Sequence, residues 1–204
     1  MTRKLSVLAP LVLALLLPGC GAFKRCLYEG FGRDDWQQPE KVVETLGLSP
    51  GARVADLGAG GGYFTWRLAE AVGTGGTVYA VDVDESMTEH LKAEAAGRGL
   101  SQVKVVLAPF DGPNLPDGSV DLLFTSNTYH HVEERTAYFE KARAALAPAG
   151  RVAIIDFHSP SWLRGHYTEK AVMQREMEAA GYTLAADHDF LERQSFLVFA
   201  PKGR

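Results

Sequence analysis

Short apolar runs alternate with amphipathic stretches over most of the chain, which predicts β-strands alternating with α-helices. Five runs rich in β-branched or apolar residues predict strands at Arg53–Leu57, Thr77–Val81, Val103–Leu107, Val120–Thr125 and Val152–Phe157. Apolar residues at helical spacing predict helices that begin at Pro39 and Phe64 and helices over Glu85–Arg98, Glu133–Leu146 and Thr168–Ala180. Strands alternating with helices in this way are typical of a parallel sheet covered by helices.

The end of the chain has a different pattern. Two β-like runs, Tyr182–Phe190 and Ser195–Ala200, follow each other with only a short break. A hairpin at this place would close the sheet with an antiparallel strand. The commoner doubly wound sheet is the competing architecture, and the missing helix between the two runs argues against it.

A glycine-rich segment, Asp56-Leu-Gly-Ala-Gly-Gly-Gly-Tyr63, joins the first strand to its helix. Glycines at such a turn allow the backbone to approach a ligand at a helix N-terminus. A dinucleotide fingerprint requires glycine where Tyr63 stands, and it places a pyrophosphate where Asp56 would repel it. S-adenosylmethionine carries a sulfonium and an ammonium, so the charge of Asp56 favours the methyl donor. A glycine-rich turn without a ligand is the remaining alternative.

A second carboxylate, Asp82, follows the second predicted strand, where it can accept hydrogen bonds from ribose hydroxyls. Together with the glycine segment and the later strands, it resembles the class I S-adenosylmethionine-dependent methyltransferases, from about Trp36 to the C-terminus. The resemblance implies a Rossmann-like α/β fold with a seven-stranded, mostly parallel sheet, helices on both faces and a C-terminal antiparallel hairpin. It also implies S-adenosyl-L-methionine as the cofactor.

The resemblance further implies which residues contact the cofactor. The segment after the third strand would lie against adenine, with Phe110 at the ring and Asp111 at the exocyclic amine. Trp36 would cover the cofactor or act as a packing anchor. The residues predicted to bind the cofactor are Asp56, Gly58, Ala59, Gly60, Gly62, Asp82, Phe110 and Asp111.

The first residues do not belong to this domain. Arg3 and Lys4 precede an apolar run, Leu5–Leu17, that ends in Leu17-Pro-Gly-Cys20. As a helix this run would span about 20 Å, short of the roughly 30 Å of a bilayer core, so a signal peptide is predicted rather than a spanning helix. It resembles a bacterial lipoprotein signal, which implies a lipidated Cys20 at the cell envelope. An uncleaved weak anchor or a misassigned start is the alternative, with the protein then in the cytoplasm.

The chain divides into three predicted parts. Residues 1–19 are predicted as signal, 20–35 as a tether and 36–204 as a single methyltransferase domain, a length ordinary for one core.

Composition excludes some partners and sites. The formal net charge is −4 and basic residues are not concentrated, so no nucleic-acid partner is expected. The only cysteines are Cys20 and Cys26, which leaves the domain without a disulfide framework or a cysteine-based zinc site.

Two histidines, His130 and His131, follow the fourth strand, where the resemblance places groups near the donor methyl. Either could deprotonate an acceptor as general base, or could instead cap the next helix or pack the loop. Asp156 and His158 alternate on the fifth strand and could approach them. No zinc-ligand spacing occurs, so no metal is predicted. Asp121 starts the fourth strand, at the wrong end of the sheet, and is predicted to be structural.

These observations predict an enzyme that transfers a methyl group from S-adenosylmethionine to a small-molecule or lipid-like acceptor by in-line displacement. Two rival functions remain. One is a non-catalytic S-adenosyl or nucleoside binder with the same fold. The other is a nicotinamide-dependent oxidoreductase, which Asp56 and Tyr63 disfavour.

Overall fold

The computed structural model describes residues 32–159 and 166–203. The predicted signal peptide, Cys20, Cys26 and most of the predicted tether lie outside the described residues. Within the described ranges, the helices are too short or too polar for any of them to cross a membrane.

The predicted fold class is confirmed. One sheet of seven strands has the order β3-β2-β1-β4-β5-β7-β6, in which β3 through β5 are parallel and β7 is antiparallel to both its neighbours. The strands are β1 (Arg53–Leu57), β2 (Thr77–Asp82), β3 (Val103–Leu107), β4 (Val120–Ser126), β5 (Leu146–Phe157), β6 (Tyr182–His188) and β7 (Gln194–Pro201). The helices are α1 (Arg33–Gln37), α2 (Pro39–Leu46), α3 (Thr65–Val72), α4 (Glu85–Gly97), α5 (Arg135–Ala142) and α6 (Lys170–Ala179).

The sheet has a hydrophobic core on each face. Strand β4 lies in the middle, and five of its seven residues are buried, as its nearly continuous apolar run predicts for a central strand. Leu122 and Phe124 pack on the face that includes Leu68 of α3. Leu123 packs on the opposite face with Phe139 of α5. Helices therefore cover both faces, and only the strand ends are left for a ligand.

Three boundaries differ most from the sequence prediction. Helix α1 begins at Arg33, inside the segment predicted as a tether. Helix α5 ends at Ala142, and a 3₁₀ turn follows where the pattern predicts continued helix. Strand β5 begins at Leu146 rather than Val152, because Leu146 pairs with Val120 ahead of a register shift. Pro148 and Gly150, residues that usually end a helix and favour a loop, lie within this irregular start.

Asp121 lies at the amino end of β4, remote from the carboxyl ends of the strands. Its side chain pairs with the guanidinium of Arg53 at 2.6 Å and accepts the backbone N–H of the same residue at 2.9 Å. The pair joins the starts of β1 and β4, in agreement with the structural role predicted for Asp121.

Candidate active site

A cavity of about 780 Å³ lies at the carboxyl ends of the parallel strands. Of the ten predicted site residues, all except Gly62 and His130 line it. Gly61 lines the cavity where Gly62 was expected. Predicted donor-binding residues and a predicted acceptor-side histidine therefore share one space.

The glycine segment owes its composition partly to its neighbours in the fold. Gly58 and Gly62 have φ values of +73° and +87°, which only glycine adopts without strain. A Cβ at Gly58 would lie 2.2 Å from Oγ1 of Thr128, and one at Gly62 would lie 2.4 Å from the ring of Trp66. A Cβ at Gly60 would meet open space. Approach to a ligand is therefore not the whole reason for these glycines, because packing requires two of them as well.

Asp56 ends β1 as a buried carboxylate, 3% exposed. Burial raises the pKa of Asp56 to about 6, although the hydroxyl of Thr65 donates to it at 2.6 Å and the charge of Arg33 favours ionisation. An unpaired buried charge is expensive, so a cationic ligand group beside Asp56 would be stabilising.

Arg33 is a cavity residue that the sequence analysis missed. Its guanidinium lies 3.7 Å from the centroid of the Tyr63 ring, and both residues line the cavity. Arg33 stands in a stretch without hydrophobic periodicity, so no sequence signal marked it. The donor end of the cavity thus carries charges of both signs, which suits the ammonium and carboxylate of a methionine group.

Asp82 connects the end of β2 to the glycine segment. Its Oδ2 accepts the backbone N–H of Gly60 at 2.8 Å, and its Oδ1 accepts that of Asp84 at 2.9 Å. A carboxylate offers about four lone-pair sites, so roughly two remain for a ligand. The predicted contact of Asp82 with ribose hydroxyls fits this capacity.

Phe110 and Asp111 form the rim of the cavity. Phe110 is 82% exposed, which leaves its ring available to a flat ligand group. Asp111 pairs with Lys141 at 2.8 Å, and that hydrogen bond lowers its pKa. The adenine contacts predicted for both residues remain predictions.

The histidines after β4 occupy the 3₁₀ turn Tyr129–His131. Nδ1 of His130 lies 2.7 Å from Oδ1 of Asp156, and its backbone N–H donates to Oδ2 at 3.0 Å. Asp156 on β5 therefore approaches His130 as the strand alternation suggested. The N-cap residue of α5 is Glu134, so neither histidine caps that helix.

His131 is the histidine that lines the cavity. Partial burial lowers its pKa, and the neighbouring His130 and His166 lower it further. The imidazole of His166 lies 5.2 Å from that of His131 and 5.4 Å from that of His130, measured between ring centroids. The sequence pattern indicates Asp156 and His158 as groups that this pair could approach, and the structure brings Asp156 and His166 to it.

Helix α1 is attached to the same end of the sheet. The buried side chain of Gln37 donates to Oγ of Ser126 at 2.8 Å. The ring of Trp36 lies 5.5 Å from that of Phe157, and Trp36 is not among the residues that line the cavity. The structure therefore favours the packing role of Trp36 over the covering role.

The cavity fits S-adenosylmethionine by the chemistry of its lining residues: a buried carboxylate, an arginine, a second carboxylate with lone pairs left for a ligand, and an exposed aromatic ring. Comparison with known proteins agrees. A family model described as "Methyltransferase domain" matches residues 48–194, so the chain belongs to this methyltransferase family. S-adenosyl-L-methionine is the cofactor of the family, as the sequence predicts.

Individual relatives are similar over the domain. The chain is 33% identical to nocamycin O-methyltransferase of Saccharothrix syringae over 124 residues, which are 61% of this chain and 44% of that protein. It is 28% identical to the ubiquinone/menaquinone biosynthesis C-methyltransferase of Shewanella oneidensis over 120 residues, 58% of this chain and 48% of that protein. The match thus spans about half the length of these relatives.

A solved structure matches more completely. A SAM-dependent methyltransferase from Aquifex aeolicus superposes with a TM-score of 0.80 and 26% identity, covering 89% of this chain and 98% of that one. The predicted family, fold and cofactor are confirmed by these comparisons, which favour the methyl donor over a nicotinamide.

Proposed function

We propose that this protein transfers a methyl group from S-adenosylmethionine to a small-molecule or lipid-like acceptor. The observation that carries the proposal is the single cavity that Asp56, Asp82 and His131 share. A carboxylate that would attract a cation and an imidazole able to accept a proton line the same cavity, which supports transfer between two bound molecules.

The chain's own residues would hold the donor in a fixed orientation. Asp56 receives the ammonium, Arg33 the carboxylate and Asp82 the ribose hydroxyls, while Phe110 offers a surface for adenine. Charge-assisted hydrogen bonds of this kind are stronger than neutral ones and fix geometry as well. When bound, S-adenosylmethionine supplies an electrophilic methyl group on a sulfonium.

Transfer forms a bond from the acceptor to the methyl carbon as the carbon–sulfur bond breaks. The electron pair stays on sulfur, which yields S-adenosylhomocysteine, and an O–H or N–H acceptor must also lose a proton. His131 lies in the cavity with a lowered pKa, so its neutral imidazole could take that proton. His130, held by Asp156, would position the turn.

The direct test is donor binding followed by transfer. Isothermal titration should show binding of S-adenosylmethionine and S-adenosylhomocysteine but not of NAD. Incubation with methyl-labelled donor and a mixed small-molecule and lipid extract should move label to an acceptor. Binding without any transfer would support the rival non-catalytic binder, and binding of NAD alone would contradict the proposal.

We further propose that the N-terminal segment anchors the domain at the cell envelope through Cys20, since Arg3, Lys4 and the apolar run have the order of a lipoprotein signal. Such an anchor would bring lipid-like acceptors within reach. Mass analysis should find a mature chain that begins at a lipidated Cys20, and Cys20→Ser should leave an unlabelled precursor of full length. A native chain of full length without lipid would refute the anchor.

A further inference from the structure

We infer that His130, His131 and His166 form a site for a divalent transition-metal ion of the zinc class. Each imidazole offers one nitrogen, and the three nitrogens lie within 4.8 Å of one another. Three imidazoles with a fourth position left open are a recurrent ligand set of catalytic zinc. Among metals, zinc, copper, nickel and iron prefer imidazole, whereas magnesium and calcium prefer oxygen.

The carboxylate of Asp156 provides independent support for this site. A carboxylate can only accept, so the 2.7 Å contact requires the proton of His130 to be on Nδ1. In a neutral imidazole this leaves the lone pair on Nε2. Histidines that bind metals usually donate their other nitrogen to a carboxylate or carbonyl, which fixes the ring and its tautomer. Asp156 is fully buried and also accepts the backbone N–H of His130, so one ligand is held before any ion arrives.

The other two ligands can adjust to an ion. In tetrahedral geometry, nitrogens about 2.0–2.1 Å from zinc are about 3.4 Å apart, so a spacing of up to 4.8 Å must contract by at most about 1.4 Å. His131 and His166 are both exposed residues, so their side chains have room to turn. His166 is two residues before Thr168, whose backbone N–H donates to the carbonyl of Phe157 at 2.9 Å. The segment that carries His166 is therefore attached to the end of β5, beside Asp156.

Within the described ranges, the side chains of His131 and His166 have little stabilising role of their own. No hydrogen bond joins the side chain of His131 or His166 to another described residue. The rings of His130 and His131 lie only 4.1 Å apart between centroids. Imidazoles that face one another without a shared partner gain little from the arrangement, whereas a shared cation would satisfy all three.

The position of the site suggests its use. His131 lines the cavity that would hold the donor, so the open position of the ion would face that space. A bound cation lowers the pKa of an oxygen or sulfur ligand and releases its proton to solvent. The ion would then activate the acceptor in place of a free His131 imidazole. This use rests on the proposed methyl transfer, but the binding of metal does not.

The experiment is a titration of the chelator-treated full-length protein with Zn²⁺, in a Cys20→Ser, Cys26→Ser background that removes competing thiols. One ion per chain should bind with a Kd below about 1 μM. Co²⁺ in the same site should show the intense visible absorption of a tetrahedral complex. Asp156→Asn should weaken Zn²⁺ binding about 10–100-fold, as loss of an outer partner does elsewhere.

His166→Ala should weaken Zn²⁺ binding at least 100-fold. The matched control is His90→Ala, which removes a histidine on α4 and should leave Zn²⁺ affinity unchanged. S-adenosylmethionine affinity, measured on each variant, should remain as in the parent, which separates failure of the metal site from failure of the proposed function. Equal Zn²⁺ affinity in the folded His90→Ala and His166→Ala variants, or no saturable binding in the folded parent, would overturn the inference.

Discussion

Nδ1 of His130 and Oδ1 of Asp156 lie 2.7 Å apart, and their side chains are only 4% and 0% exposed. The contact joins the turn after β4 to the end of β5. Since a second oxygen of Asp156 holds the backbone of the same turn, one carboxylate sets both the position and the ring orientation of His130. Asp156 therefore holds the turn that also carries His131, the histidine that lines the cavity.

Removing this carboxylate should destabilise the fold. Asp156→Asn replaces a charged acceptor by a neutral one, and loss of a buried hydrogen bond to a charged group costs about 1–3 kcal/mol. Urea denaturation should show this loss at an unchanged m value. The control Asp121→Asn disrupts an ion pair whose side chains are 41% and 44% exposed, so its cost should stay below about 1 kcal/mol. Equal stability of Asp156→Asn and the parent would contradict this role.

Donor affinity should depend on pH through Asp56. Because its pKa is raised to about 6, the carboxylate becomes protonated below that pH and loses its attraction for an ammonium. Affinity for S-adenosylmethionine should be constant from pH 7 to 8 and fall by up to about tenfold per unit below pH 6. Isothermal titration with S-adenosylmethionine at several pH values from 5 to 8 measures this dependence. A flat profile over this range in the folded protein would exclude Asp56 as the partner of the ammonium.

The same shift has the opposite effect on stability. The folded pKa lies above the usual value of 3.8, so the folded state binds the proton more tightly than the unfolded state between these two values. Stability therefore falls as pH rises from about 4 to 6, and the penalty, about 3 kcal/mol, is fully present at pH 7. Asp56→Asn, which can still accept from Thr65, should raise stability at pH 7 while weakening donor binding.

Arg33 should recognise the carboxylate of the donor. Arg33→Leu removes a charged hydrogen-bond donor worth about 1.5–3 kcal/mol, so affinity for S-adenosylmethionine should fall at least tenfold. Decarboxylated S-adenosylmethionine lacks the group in question and should bind both proteins equally. Arg175→Leu, on the exposed side of α6, is the control and should leave both affinities unchanged. If Arg33→Leu weakens both ligands alike, the arginine acts through helix placement rather than through the carboxylate.

His131 should matter for transfer and not for donor binding. His131→Ala removes the cavity-lining imidazole, either as general base or as metal ligand, and transfer of labelled methyl should fall about 10²–10⁴-fold. The affinity for S-adenosylmethionine should be unchanged, because His131 is expected to lie beside the methyl acceptor rather than beside the donor. His188→Ala, on β6, serves as the control. Full activity in the folded His131→Ala variant would contradict a role of His131 as general base or metal ligand. Catalysis would then rest on the positioning of the two bound molecules alone.

The elements with strong local patterns were predictable from sequence. The positions of the site residues at the ends of those elements were predictable for the same reason. The buried run of β4 and the strand–glycine–helix order place Asp56 and Asp82 correctly, because parallel strands end at one edge of the sheet. The start of β5 was not predictable. Its pairing of Leu146 with Val120 is a tertiary contact that overrides the loop preference of Pro148 and Gly150.

Residues brought in by tertiary structure alone were missed. His166 reaches His130 and His131 only because the segment before α6 returns to the end of β5. Arg33 belongs to a short helix without an apolar stripe, so nothing in its local pattern marks it. Gly58 and Gly62 belong to a motif that the sequence does reveal. Part of the reason for glycine at these positions is tertiary, because the side chains of Thr128 and Trp66 leave no room for a Cβ.

The central claim is that the cavity binds S-adenosylmethionine through the carboxylate that ends β2. The most direct measurement is isothermal titration of S-adenosylmethionine into the parent, Asp82→Ala and the matched control Asp117→Ala, which removes an exposed carboxylate from a surface turn. Loss of charged hydrogen bonds worth about 1.5–3 kcal/mol should lower the affinity of the Asp82→Ala variant for S-adenosylmethionine at least tenfold. The control should bind S-adenosylmethionine as the parent does. Equal affinity in all three folded proteins, or no binding to the parent, would contradict the claim.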